Sequence, residues 1–587
     1  MIQNRDRLGV LLVLAFFAAS RPGAGEVIGF RYDNTGVFPE NVNPPTEFDG
    51  PSGKNLLWKV PLPNFGNASP IVVPTADGKA RVFVLIDHGY PLGEGDVPRL
   101  MCFDADTGKE LWTKPIDPLD SVPEEEAKPL RGARNKYWYH QHEFNRCLQK
   151  AREARTTEDL DAVRKEAAEH GPNLGHNKPV EKCMGKPGSP KSKRGIGRNW
   201  TAALNHSECQ RLCKERILGV SSWNWTGIGQ AMCTPISDGK AVYVITGLRT
   251  VTKFDLDGNV IWHVWEKDVE QTKFYECWLA NGLRILSAGG RRLLVFEGYN
   301  HLWAYDCETG TVAWKTPTSG SGGHVCGTPQ LLRLKNAAGE EDLLIIARTG
   351  HSVRVRDGKA LTDQLFNVNY HGPVSDGRDR VWIQQIGGDG GHFHPKKGSA
   401  FDKKCAAGLR FRLEGEEIKY DKIFYDERRI KRNLANDLGF VRGDELLTKQ
   451  LHRLNATTGE QIADRPRGFD SYNGTILAGG HFYAIPRMTV VEGAPRGAKP
   501  GQKGVDARMV VDVAKDGEKI RFVGRHTVEI IETDPKDAGE RDRRIAITGR
   551  VTPGEWYAWH AAYIAPFACK NRLYVRTFDN LYCFEAE

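Results

Sequence analysis

A chain of 587 residues has room for several domains, and its 63 Gly, 14 Trp and 17 Tyr suit many tight turns and aromatic packing between sheets rather than a mainly helical enzyme. A formal charge of +8 at pH 7 is modest for this length: it favours solubility and gives no basis for nucleic-acid binding. The chain opens with a basic region (Arg5, Arg7), an apolar run from Leu8 to Ala19 and the small residues Gly23-Ala24-Gly25, the pattern of a secretory signal over residues 1–25. The apolar run falls short of the roughly 20 residues a spanning helix needs, and no later segment reaches that length. No Cys follows it closely, so an acylated anchor is not expected. The mature chain is expected to be exported and soluble, in the periplasm or outside the cell, with residues 26–54 as a lead-in.

Residues 67–112 then read as a blade. Asn67-Ala-Ser-Pro70-Ile-Val-Val, Asp77-Gly-Lys-Ala-Arg-Val-Phe-Val84 and Leu100-Met-Cys-Phe-Asp-Ala-Asp106-Thr-Gly-Lys-Glu-Leu-Trp112 are β-branched and aromatic runs parted by Asp-Gly and Thr-Gly turns. The last turn doubles back into Leu111-Trp112 as a fourth strand. Residues 116–222 break this pattern: Tyr137 to Ala154 mixes aromatic and aliphatic residues with charge, and Thr157 caps a run of good helix formers to Glu169, so a mainly helical insertion is predicted. Within it Gly185 to Arg194 is a basic, Pro/Gly/Ser-rich loop. Cys147, Cys183, Cys209 and Cys213 fall together here, fit for two bridges of undecided pairing, with a zinc site as the sharper alternative. By contrast Cys102, Cys307 and Cys583 sit at matching places in repeated strands and are expected to stay free, as small buried hydrophobes.

The blade pattern returns at Cys233-Thr-Pro235 through Trp262 and at Arg291 through Leu302-Trp-Ala-Tyr-Asp306-Cys-Glu-Thr-Gly310-Thr-Val-Ala-Trp314. Weaker copies follow at Gly327 to Val355, His371 to Ile383, and Leu451 to Glu460, the last without the Trp. A second insertion is read at residues 387–443, with a charged run from Asp426 to Arg432, and a loop at Gly493 to Val505. The chain ends with three strands of a blade, to Phe584, and no terminal Trp. The missing strand pattern stands at the other end, Asn55-Leu-Leu-Trp58-Lys-Val, so residues 56–60 are expected to pair with the C-terminal blade and close a propeller spanning 55–587. Counting closures and copies predicts an all-β fold: seven four-stranded antiparallel blades, or eight.

Asp104-Ala-Asp-Thr-Gly-Lys-Glu-Leu-Trp112 resembles the tryptophan-docking repeat of pyrroloquinoline-quinone-type propellers, a family that includes quinoprotein dehydrogenases and noncatalytic relatives. The segment Asn55 to Val84 most resembles exported quinoprotein-like propellers of planctomycete-type bacteria. For the dehydrogenases, the resemblance implies pyrroloquinoline quinone with calcium under a strained disulfide of adjacent cysteines. No Cys-Cys pair occurs here, and neither that family's calcium ligands nor its catalytic Asp can be placed on this sequence, so none is carried over. Nor is there a Gly-x-Ser-x-Gly elbow, a His-Glu-x-x-His motif or a phosphate loop.

In a propeller the residues just before each blade's first strand line the axial funnel. Here these are Asn67, Gln230, His324, His371 and His560, amide and imidazole groups fit to fix a small polar ligand or simply to order water. His392 and His394, alternate residues of Gly391-His-Phe-His394, are weaker candidates for a metal, against a plain surface loop. Two functions follow. One is a monomeric, noncatalytic scaffold binding a protein or glycan through its rim and helical insertion, without a cofactor. The other is a quinone- or metal-dependent oxidoreductase with His324 or His371 as base.

Overall fold

The computed structural model describes residues 27–587 except 65, 67, 88–96, 171–178, 191–232, 248–249, 267–281, 299–300, 319–327, 369–371, 386–400, 402, 404, 428–438, 472–473, 487, 500–501, 503, 533–534, 540, 542–563 and 578. Strand formation follows the turns. Asp104 Oδ1 accepts hydrogen bonds from the amides of Asp106 and Thr107 (3.0 and 2.8 Å), and Gly108 at φ +70° lets the chain reverse into strand Glu110–Pro115. Asp306 and Asn455 repeat this with their own following amides, ahead of Gly310 and Gly459. A short acceptor three or four residues before a left-handed glycine is therefore what fixes the hairpin between the third and fourth strands.

Eight antiparallel sheets result among the described residues. Blades 1 to 7 cover residues 71–115, 236–265, 284–317, 330–362, 374–426, 440–463 and 476–531. Blade 8 takes three strands from residues 567–585 and its fourth from Leu56–Pro61, which lies antiparallel to Asn580–Glu585 with Lys59 opposite Tyr582 and Val60 opposite Leu581. The first and last strands of the chain thus share one sheet, so the ring needs both ends to close.

Neighbouring blades are latched by aromatic side chains. Trp58 covers Gly108, Trp112 covers Gly258, Trp262 covers Gly310 and Trp314 covers Gly358, each ring so close that a Cβ on the glycine would meet it at 2.5–2.7 Å. The indole Nε1 of each donates to a turn carbonyl of the next blade: Ala105, Leu256, Cys307 and Val355, at 2.7–3.1 Å. Glycine is demanded twice over at these turns, by positive φ and by the ring it seats. Between blades 5 and 6 the two roles are split: Phe424 covers Gly459, while Trp382, from the second strand, donates to Ala456 O at 2.8 Å.

The ring has eight blades, the higher of the two counts the sequence allows. The copy that escaped the sequence reading is blade 7. Its long strands Ala507–Lys515 and Arg521–Ile531 carry no docking Trp, and residues 491–506 part them from the short strand Thr489–Val490. The second insertion at 387–443 is corrected. Cys405–Glu414 and Glu417–Asp426 are the third and fourth strands of blade 5, and Phe440–Arg442 opens blade 6. Exposed Arg410, Arg412 and Glu414 on the solvent face of these strands disguise the buried alternation of Leu409 and Phe411.

The insertion after blade 1 is helical: α1 (Glu124–Glu153), α2 (Thr157–His170) and α3 (Pro179–Met184). Phe144, Cys147, Leu148 and Ala151 of α1 pack with Leu160 and Ala167 of α2 and Met184 of α3 as a small core of their own. No helix among the described residues is long and apolar enough to cross a membrane.

Candidate functional site

The entries to the first strands are tied to one another around the ring. Ser69, just before strand Ile71–Pro74 of blade 1, takes the amide of Ala565 of blade 8 on its Oγ at 2.9 Å, and its own amide donates to Thr234 Oγ1 of blade 2 at 3.0 Å. The hydroxyls of the Ser69-Pro70 and Thr234-Pro235 steps therefore serve as interblade links. The five funnel residues read from the sequence, Asn67, Gln230, His324, His371 and His560, and the pair His392 and His394, all lie outside the described residues.

The described residues do show what fills the axis. From Ile28 to Asn43 the lead-in runs among the first strands of opposite blades. Ile28 exchanges both backbone hydrogen bonds with Ser237 of blade 2, at 2.9 and 2.7 Å. Asn34 Nδ2 donates to Leu283 O beside blade 3 at 3.2 Å, and Phe38 N donates to Leu477 O of blade 7 at 2.9 Å. Blades 3 and 7 are diametrically placed in an eight-membered ring, so this segment spans the channel. Phe30 meets Ala565 and Phe38 lies edge-on to Phe567, 5.0 Å between centroids, on the blade 8 side. Asn43 N then donates to Lys570 O at 2.7 Å, and the chain leaves beneath blades 7 and 8.

Arg31 anchors this plug. It is 1 % exposed; Nε donates to Thr475 O at 2.8 Å, Nη2 lies 3.5 Å from Gly439 O, and the guanidinium stands 4.9 Å over the ring of Phe440. Arg31, Tyr32 and Asn34 all have positive φ (50°, 72° and 72°), a strained run for side-chain-bearing residues that persists only where surrounding contacts hold it. Gly36, at φ +81°, leaves bare the space that the Arg31 guanidinium occupies.

Behind the axis, charges are buried between blades at the ends of second strands. Arg576, fully buried in blade 8, donates through Nη1 to Ala68 O and Leu85 O of blade 1 at 3.0 and 2.6 Å. Burial pushes its guanidinium down to about 9, while Asp87 and Asp579 pull it up. Between blades 3 and 4 the signs are exchanged: Glu297 ends the second strand of blade 3 and takes the Arg348 amide at 3.1 Å, with Arg348 Nε at 3.4 Å. Burial pushes the Glu297 carboxyl up to about 7, against the pull of Arg348. Arg576 thus ties blade 8 to blade 1 through carbonyls, whereas Glu297 and Arg348 join blades 3 and 4 through backbone and charge together, so removing one of that pair leaves an uncompensated buried ion.

The insertion is docked by a similar device. Asp117 caps the 3-10 turn Pro118–Ser121 and receives both Nη1 and Nη2 of buried Arg134, at 2.9 and 2.8 Å, with Arg131 Nε at 3.2 Å. Burial acts to raise its carboxyl, and the hydrogen bonds and charge of Arg134 outweigh that and hold it below the usual range. Cys147 carries a free, buried thiol, pushed up to about 12 by burial. The side chain of Cys183, and Cys209 and Cys213 entirely, lie outside the described residues. Cys102, Cys307 and Cys583 are free and buried, but only Cys102 and Cys583 occupy the same strand position, opposite Trp112 and Trp58; Cys307 sits in the turn and accepts from Trp262. Among the described residues there is no group of three or more His, Cys, Asp or Glu placed to hold a metal ion.

Sheets latched blade to blade by an aromatic ring over a turn glycine define the class, a β-propeller. Residues 249–333, covering the last two strands of blade 2, all of blade 3 and the start of blade 4, match the family model described as outer membrane protein assembly factor BamB. No curated protein matches the chain. Among solved structures it is similar to the complex of the fission yeast SREBP-SCAP binding domains, at 8 % identity over 49 % of this chain and 73 % of that one, TM-score 0.23. It is likewise similar to the WD40 domain of SCAP from fission yeast, at 8 % identity over 59 % and 79 %, TM-score 0.24. At such TM-scores these two likenesses carry no argument about this chain.

Proposed function

We propose that this chain is an exported, noncatalytic β-propeller, periplasmic or extracellular, that acts as a monomeric binding scaffold and meets a protein or glycan through its rim and helical insertion. The observation that supports this reading is the occupied axis. Residues 28–38 touch blades 2, 3, 6, 7 and 8, so the channel in which a propeller enzyme would seat a quinone already holds this chain's own backbone, Phe30 and Arg31. Binding is then left to surfaces outside the plug, and function rests on those surfaces rather than on the fold itself.

The competing reading is an oxidoreductase that takes up pyrroloquinoline quinone with calcium, or a metal alone, in the remaining funnel, and the repeat type itself is what keeps it in view. Absorbance and metal analysis of the purified chain, before and after incubation with pyrroloquinoline quinone and calcium, separates the two. The scaffold reading expects no stoichiometric quinone uptake, and uptake of one quinone per chain with calcium overturns it.

A further inference from the structure

Away from the axis, the insertion brings two imidazoles face to face. His140 of α1 and His170, the last residue of α2, approach with Nδ1 to Nδ1 at 3.1 Å and ring centroids 5.4 Å apart. Their meeting follows from the helix seam. His140 lies one turn before Phe144 and His170 three residues after Ala167, so the two extend the apolar α1–α2 contact to its open end. Tyr139 sets its ring edge-on against both imidazoles, at 5.0 and 6.1 Å between centroids, and is itself 52 % exposed, which leaves this end of the seam open to solvent.

Two ring nitrogens this close share either one proton or one cation, because two protonated rings repel. We propose that His140 and His170 form a two-imidazole site for a borderline divalent transition-metal ion such as Zn²⁺, Ni²⁺ or Cu²⁺. With metal–nitrogen bonds of about 2.0–2.1 Å, nitrogens at this separation subtend roughly 98° at the ion, between octahedral and tetrahedral geometry. Nitrogen donors select this class over calcium and magnesium, which take oxygen. Solvent, or a donor from a bound partner, completes the coordination sphere, and the open end supplies the entry path.

The test is copper(II) titration of the full chain followed by electron paramagnetic resonance, alongside melting with added zinc. The expected result is one Cu²⁺ per chain with two equatorial nitrogens, and a melting temperature that rises and saturates with zinc. Both signals should vanish in His140→Ala and in His170→Ala and persist in His481→Ala, whose imidazole sits on a turn of blade 7. His140→Gln, which keeps a hydrogen-bonding side chain, should hold the metal-free melting temperature while losing the copper signal. A wild-type spectrum without two nitrogens, or one unchanged in either alanine variant or in His140→Gln, overturns the site. Ions held elsewhere on the chain survive in all variants and so do not imitate the result.

Discussion

Arg31→Ala tests whether the lead-in is an integral part of the propeller or merely lies against it. The substitution removes a charge-assisted hydrogen bond to Thr475 O and the cation–π contact with Phe440, and leaves carbonyls facing an empty space. Hydrogen bonds to a charged group are worth about 1.5–3 kcal/mol and a desolvated cation–π contact about 2. Part of this is offset because a buried charge no longer has to be desolvated, which leaves a net loss of about 3 kcal/mol. With an unfolding entropy of about 2.1 cal/mol/K per residue over 587 residues, a ring that melts as one unit loses about 2–3 °C in Tm. Calorimetry of Arg31→Ala reads this, with Lys54→Ala as control, since the solvent-screened Lys54–Glu47 pair should leave Tm unchanged. Arg31→Lys should recover only part of the loss, because an ammonium lacks the planar face and the fork of donors. An Arg31→Ala protein with the wild-type Tm, and no faster proteolysis within residues 27–43, would refute the anchoring role.

Two further perturbations probe the latches and the insertion. Trp314→Ala, which empties the seat over Gly358 and strands Val355 O, should cost about 3–5 kcal/mol and lower the urea midpoint without changing the fold. Asp117→Asn should cost the insertion about 3–5 kcal/mol by leaving Arg134 without its counter-charge, read as faster proteolysis within residues 116–190 while the blades stay resistant. Because the Asp117 carboxyl is held below its usual range in the fold, its contribution is present above about pH 4 and is lost as pH falls through the lowered value. Proteolysis of the wild-type insertion should therefore speed up below about pH 4 and become less sensitive to pH in Asp117→Asn.

The sequence was most legible where a side chain and a backbone demand coincide. The Asp, the Gly and the Trp of Asp104 to Trp112 each have a separate physical task, so their joint spacing marks a blade without any knowledge of its neighbours. Where the latch is shared between Phe424 and Trp382, or where the outer strand Arg521–Ile531 carries no Trp, that spacing dissolves, and blade 5 was half hidden and blade 7 missed. The closing strand Leu56–Pro61 could be read because both chain ends carried incomplete blades whose parts were complementary. The plug could not. Residues 28–43 have no periodic pattern, and their conformation is fixed by carbonyls of blades 2, 3, 6 and 7, hundreds of residues away. The His140–His170 contact was equally hidden, since it depends on two helices folding back on each other and not on any spacing along one of them.

The scaffold account stands on the occupied axis, and amide hydrogen exchange of the native chain measures that occupancy directly. The amides of Ile28, Phe38 and Asn43 donate to the carbonyls of Ser237, Leu477 and Lys570 respectively, so they should exchange as slowly as amides within the blade strands. Exchange of these three within seconds, as for an untethered terminal segment, would mean that the axis is open and would return the funnel to the oxidoreductase reading.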